Sequence, residues 1–359
     1  MSNNLIVLGI DDGHSGIKLY AGLDQNGNEV KLTVPSIAYS GRMLNGDPDD
    51  VDLQIMKVGS NTFTVGRKIN SKIVLDTRTD EYPISDHNKA LIHQAIRFYC
   101  DHAGINDLQK KHFAIATSLP VSRYYAGDYK NTELIKLKTD FLLNDTECFN
   151  VLDQRNHRSP NVIKKHIVLC EAQAAYFNEI IDVHGLPAEN SQLFINTECA
   201  VIDIGGKTTD IVVTLEGGNM VDAGRSKSEN LGILSIKDRI SDLLKENGCQ
   251  KVNANWLEFA LDGNGTYGIG SQAKDITNLI NSAKQEFMLN LVNFIGKQIG
   301  SGDDLALIVF CGGGTAFLEN EINNHYSSYG NVRIAKDPEY ANAKGIWKMA
   351  NYLFKLGKS

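Results

Sequence analysis

The chain has 359 residues, enough for two domains that each bury a core of their own. Hydrophobic residues make up 42% and charged residues 22%, which excludes the disordered and fibrous classes. A formal net charge of -7 and the absence of any Lys/Arg-rich block argue against direct, electrostatically driven DNA binding. The start, "MSNNLIVLGIDD", lacks the basic opening of a secretory signal, and no apolar run approaches membrane-spanning length. Six cysteines form no CxxC pair, and several sit inside apolar runs such as "HIVLC" and "LIVFC". Buried free thiols in a reducing cytosol are the expectation, and with them a cytoplasmic location.

In chain order, residues 5–10 and 17–22 read as two strands around a Gly-rich turn, and "NEVKLTVPSIAYS" continues the β pattern. Residues 40–85 are polar and irregular with short β signals, as in a small insertion. "DHNKALIHQAIRFYCDHAG" reads as a helix opening at Asp86 and closing on Gly104. "KHFAIATSLP" is a buried strand ended by Pro120, "NTELIKLKTDFLL" leaves helix and strand open, and "HIVLCEAQAAYFNEIIDVHG" passes from strand to helix around Glu171. "GLPAENSQ" marks a boundary near 185–192. The second half restarts with "CAVIDIGGKTTDIVVTLEG", followed by an amphipathic helix ended by Asn247 and Gly248. A long helical stretch with a break is expected over "AKDITNLINSAKQEFMLNLVNFIGKQIG". Then come the strand "LALIVF", the turn "CGGGT", the helix "AFLENEINNHY" and the closing helix "ANAKGIWKMANYLFKLG".

Each half therefore begins strand, Asp, Gly-rich turn, strand. Asp203 follows Asp11 by 192 positions, about one domain, so the pattern implies two similar lobes facing across a cleft. Glycine lets a polyanion approach backbone N–H groups, and an aspartate beside it suits a magnesium-bound phosphate. Two such turns could grip one phosphate chain from opposite sides. "GGKTT" is not a Walker A loop. Counting back from Lys207, the leading glycine would be Val201, and a strand follows instead of a helix. The GxGxxG dinucleotide fingerprint is absent from both turns.

In these motifs and their order the chain resembles the superfamily of actins, heat-shock chaperone ATPases and sugar kinases, and within it the ParM/StbA plasmid-segregation actins. "IDDGHSGIKL" is similar to the first phosphate loop, "ATSLPVSRYY" to a T-x-LP-x-x-x-Y stretch, and "CEAQAAY" to the first connecting motif. "VIDIGGKTTDIVV" is similar to the second phosphate loop, "FCGGGTAFLENEI" to the adenosine motif and "DPEYANAKGIWKMA" to the second connecting motif.

The resemblance implies an α/β, actin-like (ribonuclease H-like) duplicated two-lobe fold with a nucleotide cleft between the lobes. The first lobe would span 1–188, with an insertion subdomain at about 35–85. The second would span 189–340, with a helical insertion at about 235–300, and a C-terminal helix, 341–359, would pack back on the first. It implies roles as well. Asp11 and Asp203 would hold Mg2+, Lys18 would reach the phosphate oxygens, and Glu171 would orient or deprotonate the attacking water. Asp210 would join that water chain. Asp12, Gly13, His14, Ser15, Gly16, Gly205, Gly206, Lys207, Thr208 and Thr209 would line the phosphates. Gly312, Gly313 and Gly314 would pass under the α-phosphate and sugar, and Asn230 and Gly232 would border the base. Lys207 either meets phosphate or points to solvent. Glu171 has a second reading, as a charge favoured at a helix start. His14 stands where many relatives carry Ser.

The implied function is a filament-forming ATPase, with ATP or GTP as substrate, that self-assembles and moves plasmid copies through a ParR-like DNA-binding adaptor at a plasmid centromere. No direct contact with DNA and none with a membrane is expected. The alternative is a sugar- or acetate-type kinase, although no substrate motif is recognisable. A chaperone reading lacks a substrate-binding domain. A membrane-attached actin would want a terminal amphipathic membrane helix, and "GIWKMANYLFKLGKS" is better explained by packing on the first lobe.

Overall fold

The apolar strands Leu5–Asp12 and Gly16–Leu23 pair antiparallel and build the first of two large sheets. The computed structural model describes residues 5–43, 53–66, 74–105, 111–127, 129–144, 147–151, 162–189 and 191–355. From one edge the first sheet runs Glu29–Pro35, Gly16–Leu23, Leu5–Asp12, His112–Leu119, Ile163–Cys170. Its last two pairings are parallel. The second sheet repeats this order. Thr209–Leu215 lies antiparallel to Cys199–Ile204, with Met220–Val221 and Lys227–Glu229 outside it. On the other side Leu307–Cys311 and then Val332–Ile334 add in parallel.

Each sheet buries one face under helices. Leu8, Ile10 and Ile17 pack with Leu91, Ile92 and Ile96 of the helix Asp86–His102. In the second lobe, Ala200, Ile202 and Ile211 pack with Ile236 and Ile240 of the helix Ile233–Glu246, and with Phe287 and Leu291 of the helix Thr277–Ile299. A third cluster joins the lobes, bringing Leu119, Cys170 and Ala175 against Val201, Val212 and Val309. The two halves thus meet along an apolar seam, with the strand ends left to form the cleft.

Four local expectations are resolved or changed. The open segment Thr132–Leu143 is a helix, its first turn capped by the Asn131 side chain accepting from the N–H of Leu134. The long helix Thr277–Ile299 has no break, because Ile280, Ala283, Phe287, Leu291 and Ile295 keep one buried stripe throughout. Residues 274–275, expected in that helix, instead pair with 266–267 as a short hairpin. The small insertion sheet draws a strand from outside 35–85. Its order is Cys148–Asn150, Leu53–Val58, Asn61–Gly66, Ala38–Ser40.

The C-terminal helix Ala341–Lys355 crosses behind the first sheet at backbone distance. A Cβ on Gly9 would lie 2.4 Å from the carbonyl oxygen of Ala343, and one on Gly345 would lie 1.7 Å from that of Ala174. Trp347 anchors the crossing by donating from Nε1 to the carbonyl of Val7 at 3.1 Å. Gly345→Ala should therefore destabilise the protein by about 1–3 kcal/mol, the usual cost of overpacking. Alanine's better helix propensity offsets at most about 1 kcal/mol of that. Thermal unfolding of the two proteins checks this, and an unchanged or raised midpoint would contradict the packing.

Candidate functional site: an acidic cleft between two glycine turns

The cleft is narrow: its cavity volume is about 50 Å³, well below the roughly 300–1,000 Å³ common for small-molecule sites. Its walls are the turn Gly13–Ser15, the turn Gly205–Thr208, and Gly312–Gly313 at the start of the short helix Gly313–Phe317. Asp11, Lys18, Glu171 and Asp203 face it together.

Each turn is fastened from outside the cleft. The Gly13 carbonyl accepts from the Ser36 hydroxyl at 2.6 Å, and the His14 carbonyl accepts from Thr77 at 3.0 Å. The His14 ring meets the Thr77 carbonyl through Nδ1, and burial holds its pKa down. In the second turn, the Gly205 N–H donates to the Thr208 carbonyl. The Gly205 and Gly206 carbonyls then accept from Ile233 and Leu234, capping the helix that follows. Gly232 makes that docking possible, since a Cβ there would come 2.3 Å from the Gly206 oxygen. It sits behind the turn, packed against Gly206 and Lys207. Gly312, at φ 89°, is equally constrained: a Cβ would sit 2.2 Å from Oδ1 of Asp203.

Electrostatically the cleft holds more carboxylates than cations. Desolvation raises the pKa of Asp11, opposed by the Lys18 ammonium and reinforced by Asp12. Desolvation, then Asp11 and Asp210, push Asp203 up to about 7. Glu171 is set deep enough that lost hydration, followed by repulsion from Asp11, Asp210 and Asp203, lifts it well above the usual carboxylate range. Ser118 donates its hydroxyl to Oε1 of Glu171 at 3.2 Å. Asp203 Oδ1 is buried and has no hydrogen-bond partner among the described residues. Among those residues no three His, Cys, Asp or Glu groups converge tightly enough to chelate a metal outright. The carboxylates of Asp11 and Asp203, the latter with its unpaired buried oxygen, nevertheless fit Mg2+. That ion keeps several waters and takes one or two carboxylates beside substrate phosphates.

Other expected residues are engaged by partners within the protein or lie off the cleft. Asp12 lines the cleft, and its carboxylate is held by Lys138, at 2.8 and 3.0 Å, and by the Asn88 amide in a buried ion pair. Asp210, placed in the water chain, does not line the cleft. Its oxygens accept from Val121 N–H, Ser228 Oγ and Thr208 Oγ1, tying the second turn to the first lobe. Lys207 lines the cleft, and its ammonium donates to the Arg78 carbonyl at 2.7 Å across the mouth. Gly16, Thr209 and Gly314 are buried behind the walls, and Asn230 is exposed outside them. The sequence reading missed Lys138, Ser118 and Asn342, all of which line the cleft. Asn342 lies within the quoted "ANAKG" stretch, so that motif held a signal for it; Lys138 lies on a segment with no motif.

The duplicated strand order has clear counterparts. A structure described as a 15-stranded ParM filament from Clostridium botulinum superposes with a TM-score of 0.76 at 21% identity, covering 97% of this chain and 99% of that one. The fold is actin-like. An archaeal actin homologue, Ta0583, in complex with ADP, gives a TM-score of 0.72 at 15% identity over 97% of this chain and 99% of its own. Bacillus thuringiensis ParM with ATP gives 0.67 at 16% identity over 99% and 100%. Residues 201–324 of this actin-like chain match the family described as archaeal actin homologue MreB-like, C-terminal. By sequence alone it matches no curated protein. Among the described residues no helix is long and apolar enough to cross a membrane.

Proposed function

We propose that this chain is a ParM-type, filament-forming ATPase of the cytoplasm, and that its cleft binds and hydrolyses Mg-ATP, with GTP the alternative substrate. The observation that carries the reading is the meeting of Asp11, Asp203 and Glu171, from two lobes, between glycine turns that can cradle phosphates. The likeness along almost the whole chain to a ParM filament structure supports it over a sugar- or acetate-type kinase. Asp11 and Asp203 would hold Mg2+, which supplies charge neutralisation on the phosphates. Lys18, beside Asp11, would reach phosphate oxygens. The Gly13–Ser15 and Gly205–Thr208 N–H groups would fix the chain between them. Glu171, whose proton affinity is raised by desolvation and then by the neighbouring carboxylates, would orient and deprotonate the attacking water. An acidic protein of this kind would reach plasmid DNA through a ParR-like adaptor rather than by its own surface.

Closure of the lobes on nucleotide would present one repeated head-to-tail surface, which generates an open filament. Light scattering and electron microscopy of the pure protein should show filaments with Mg-ATP and with a non-hydrolysable analogue, and few with ADP. A monodisperse monomer under all three conditions, over a wide concentration range, would return the kinase reading to first place.

A further inference from the structure

Asn342 stands where the two sides of the cleft's chemistry come together. It is the second residue of the C-terminal helix and is buried. Its Nδ2 donates to Oδ2 of Asp203 at 2.6 Å, and its Oδ1 accepts the N–H of Ala172 at 3.1 Å. One side-chain amide carries both donor and acceptor, so one residue can hold two elements at once.

What it holds beside Glu171 is strained. Ala172 has φ 58° and ψ −47°, near the rare γ-turn of positive φ. The Gln173 N–H, donating to the Glu171 carbonyl at 2.6 Å, closes that turn. A residue other than glycine stays in such a conformation only where its surroundings enforce it. Glu171 N–H is fixed by the Leu119 carbonyl, Gln173 N–H by the turn itself, and Ala172 N–H by Asn342. The turn in this form points the Glu171 side chain into the cleft. Asn342 itself cannot drift, because Gly9 and Gly345 seat its helix at backbone distance on the first lobe.

We infer that Asn342 is a positioning residue for the hydrolytic step. Its single amide fixes the Asp203 carboxylate and the turn that aims Glu171, so the metal side and the water side of the cleft keep one spacing. The inference rests on the Mg-nucleotide reading of Asp203 and Glu171 given above.

Two full-length variants test it. Asn342→Ala removes both bonds. In the nucleotide-free protein, hydrogen–deuterium exchange at Ala172 and Gln173 should accelerate. With Mg-ATP, kcat should fall by about 10- to 100-fold, as for a misplaced catalytic group, while KM for ATP stays near wild type. Asn342→Asp is nearly isosteric and decides the matter if the alanine variant does not fold. It still accepts from Ala172 N–H but replaces the amide donor to Asp203 with a second carboxyl group. Exchange at Ala172 should stay protected, while the half-saturating Mg2+ concentration moves by about tenfold or more, the usual effect of losing an outer-shell partner. Wild-type exchange, turnover and Mg2+ dependence in the variants, with only a lowered melting point, would reduce Asn342 to packing and overturn the inference. A wild-type protein that does not turn over Mg-ATP would overturn the hydrolase reading, and the exchange result would then judge Asn342's hold on the turn by itself.

Discussion

Replacing Glu171 with alanine should leave Mg-ATP binding near its wild-type affinity and slow hydrolysis by about 10²–10⁴-fold, the usual contribution of a positioned general base. Three observations put the effect on turnover. The carboxylate faces the cleft, the Ser118 hydroxyl orients it at 3.2 Å, and desolvation followed by the Asp11 and Asp210 charges raises its proton affinity. The glycine turns that would hold the phosphates belong to other segments, so the variant keeps its grip on nucleotide. If hydrolysis returns filaments to monomer, those of the variant should also outlive wild-type ones after a pulse of ATP. Single-turnover kinetics with labelled ATP separates the steps, and a wild-type rate in the variant would remove Glu171 from the water's path.

Lys138→Met should cost the fold about 3–5 kcal/mol, the penalty for leaving one member of a buried ion pair unpaired. Lys138 and Asp12 have side chains only 1% and 3% exposed, and the ammonium also donates to the Ser118 carbonyl at 2.6 Å. Neither charge can turn to water. The double variant Asp12→Asn/Lys138→Met should recover most of the loss, since replacing a whole buried pair is often close to neutral. Chemical denaturation of the two single variants and the double variant measures the coupling directly. A loss of less than about 1 kcal/mol in the single lysine variant would mean that Asp12 finds another partner.

The features legible in advance were those written into contiguous residues. An apolar run ending in Asp and a Gly-rich turn specifies both a strand and what stands at its end. Two such runs a domain apart lead to repeated sheets, and both sheets do share one strand order. Contacts between distant segments were not legible. Asp12 and Asp11 are neighbours with the same chemistry, yet Asp11 lies across from Lys18 on the paired strand while the Asp12 carboxylate is held by Lys138, a partner 126 positions away. The strand Cys148–Asn150 is short and gains its identity only from pairing with Leu53–Val58. Asn342 sits in a helix that reads correctly from its periodicity, but its value comes from touching Asp203 and Ala172. Lys207 shows the same limit, because the Arg78 carbonyl that receives it belongs to a segment with no motif of its own.

The crossing of the C-terminal helix behind the first sheet also sets an order on biosynthesis. The strand Leu5–Asp12 is translated long before residues 341–355, which cover Gly9 and bond Val7. Ala116 and Ala174, likewise made early, wait for Ile346 and Ala350 to complete their shared cluster. During elongation the nascent first half therefore carries an apolar face with no cover, the kind of surface that chaperones hold and that aggregates when crowded. It can finish only by a contact between segments far apart in sequence, which is slow to form. A stalled or prematurely released ribosome would leave a first lobe that has its strands and lacks its lid, so truncated products of this chain are candidates for quality control rather than for activity.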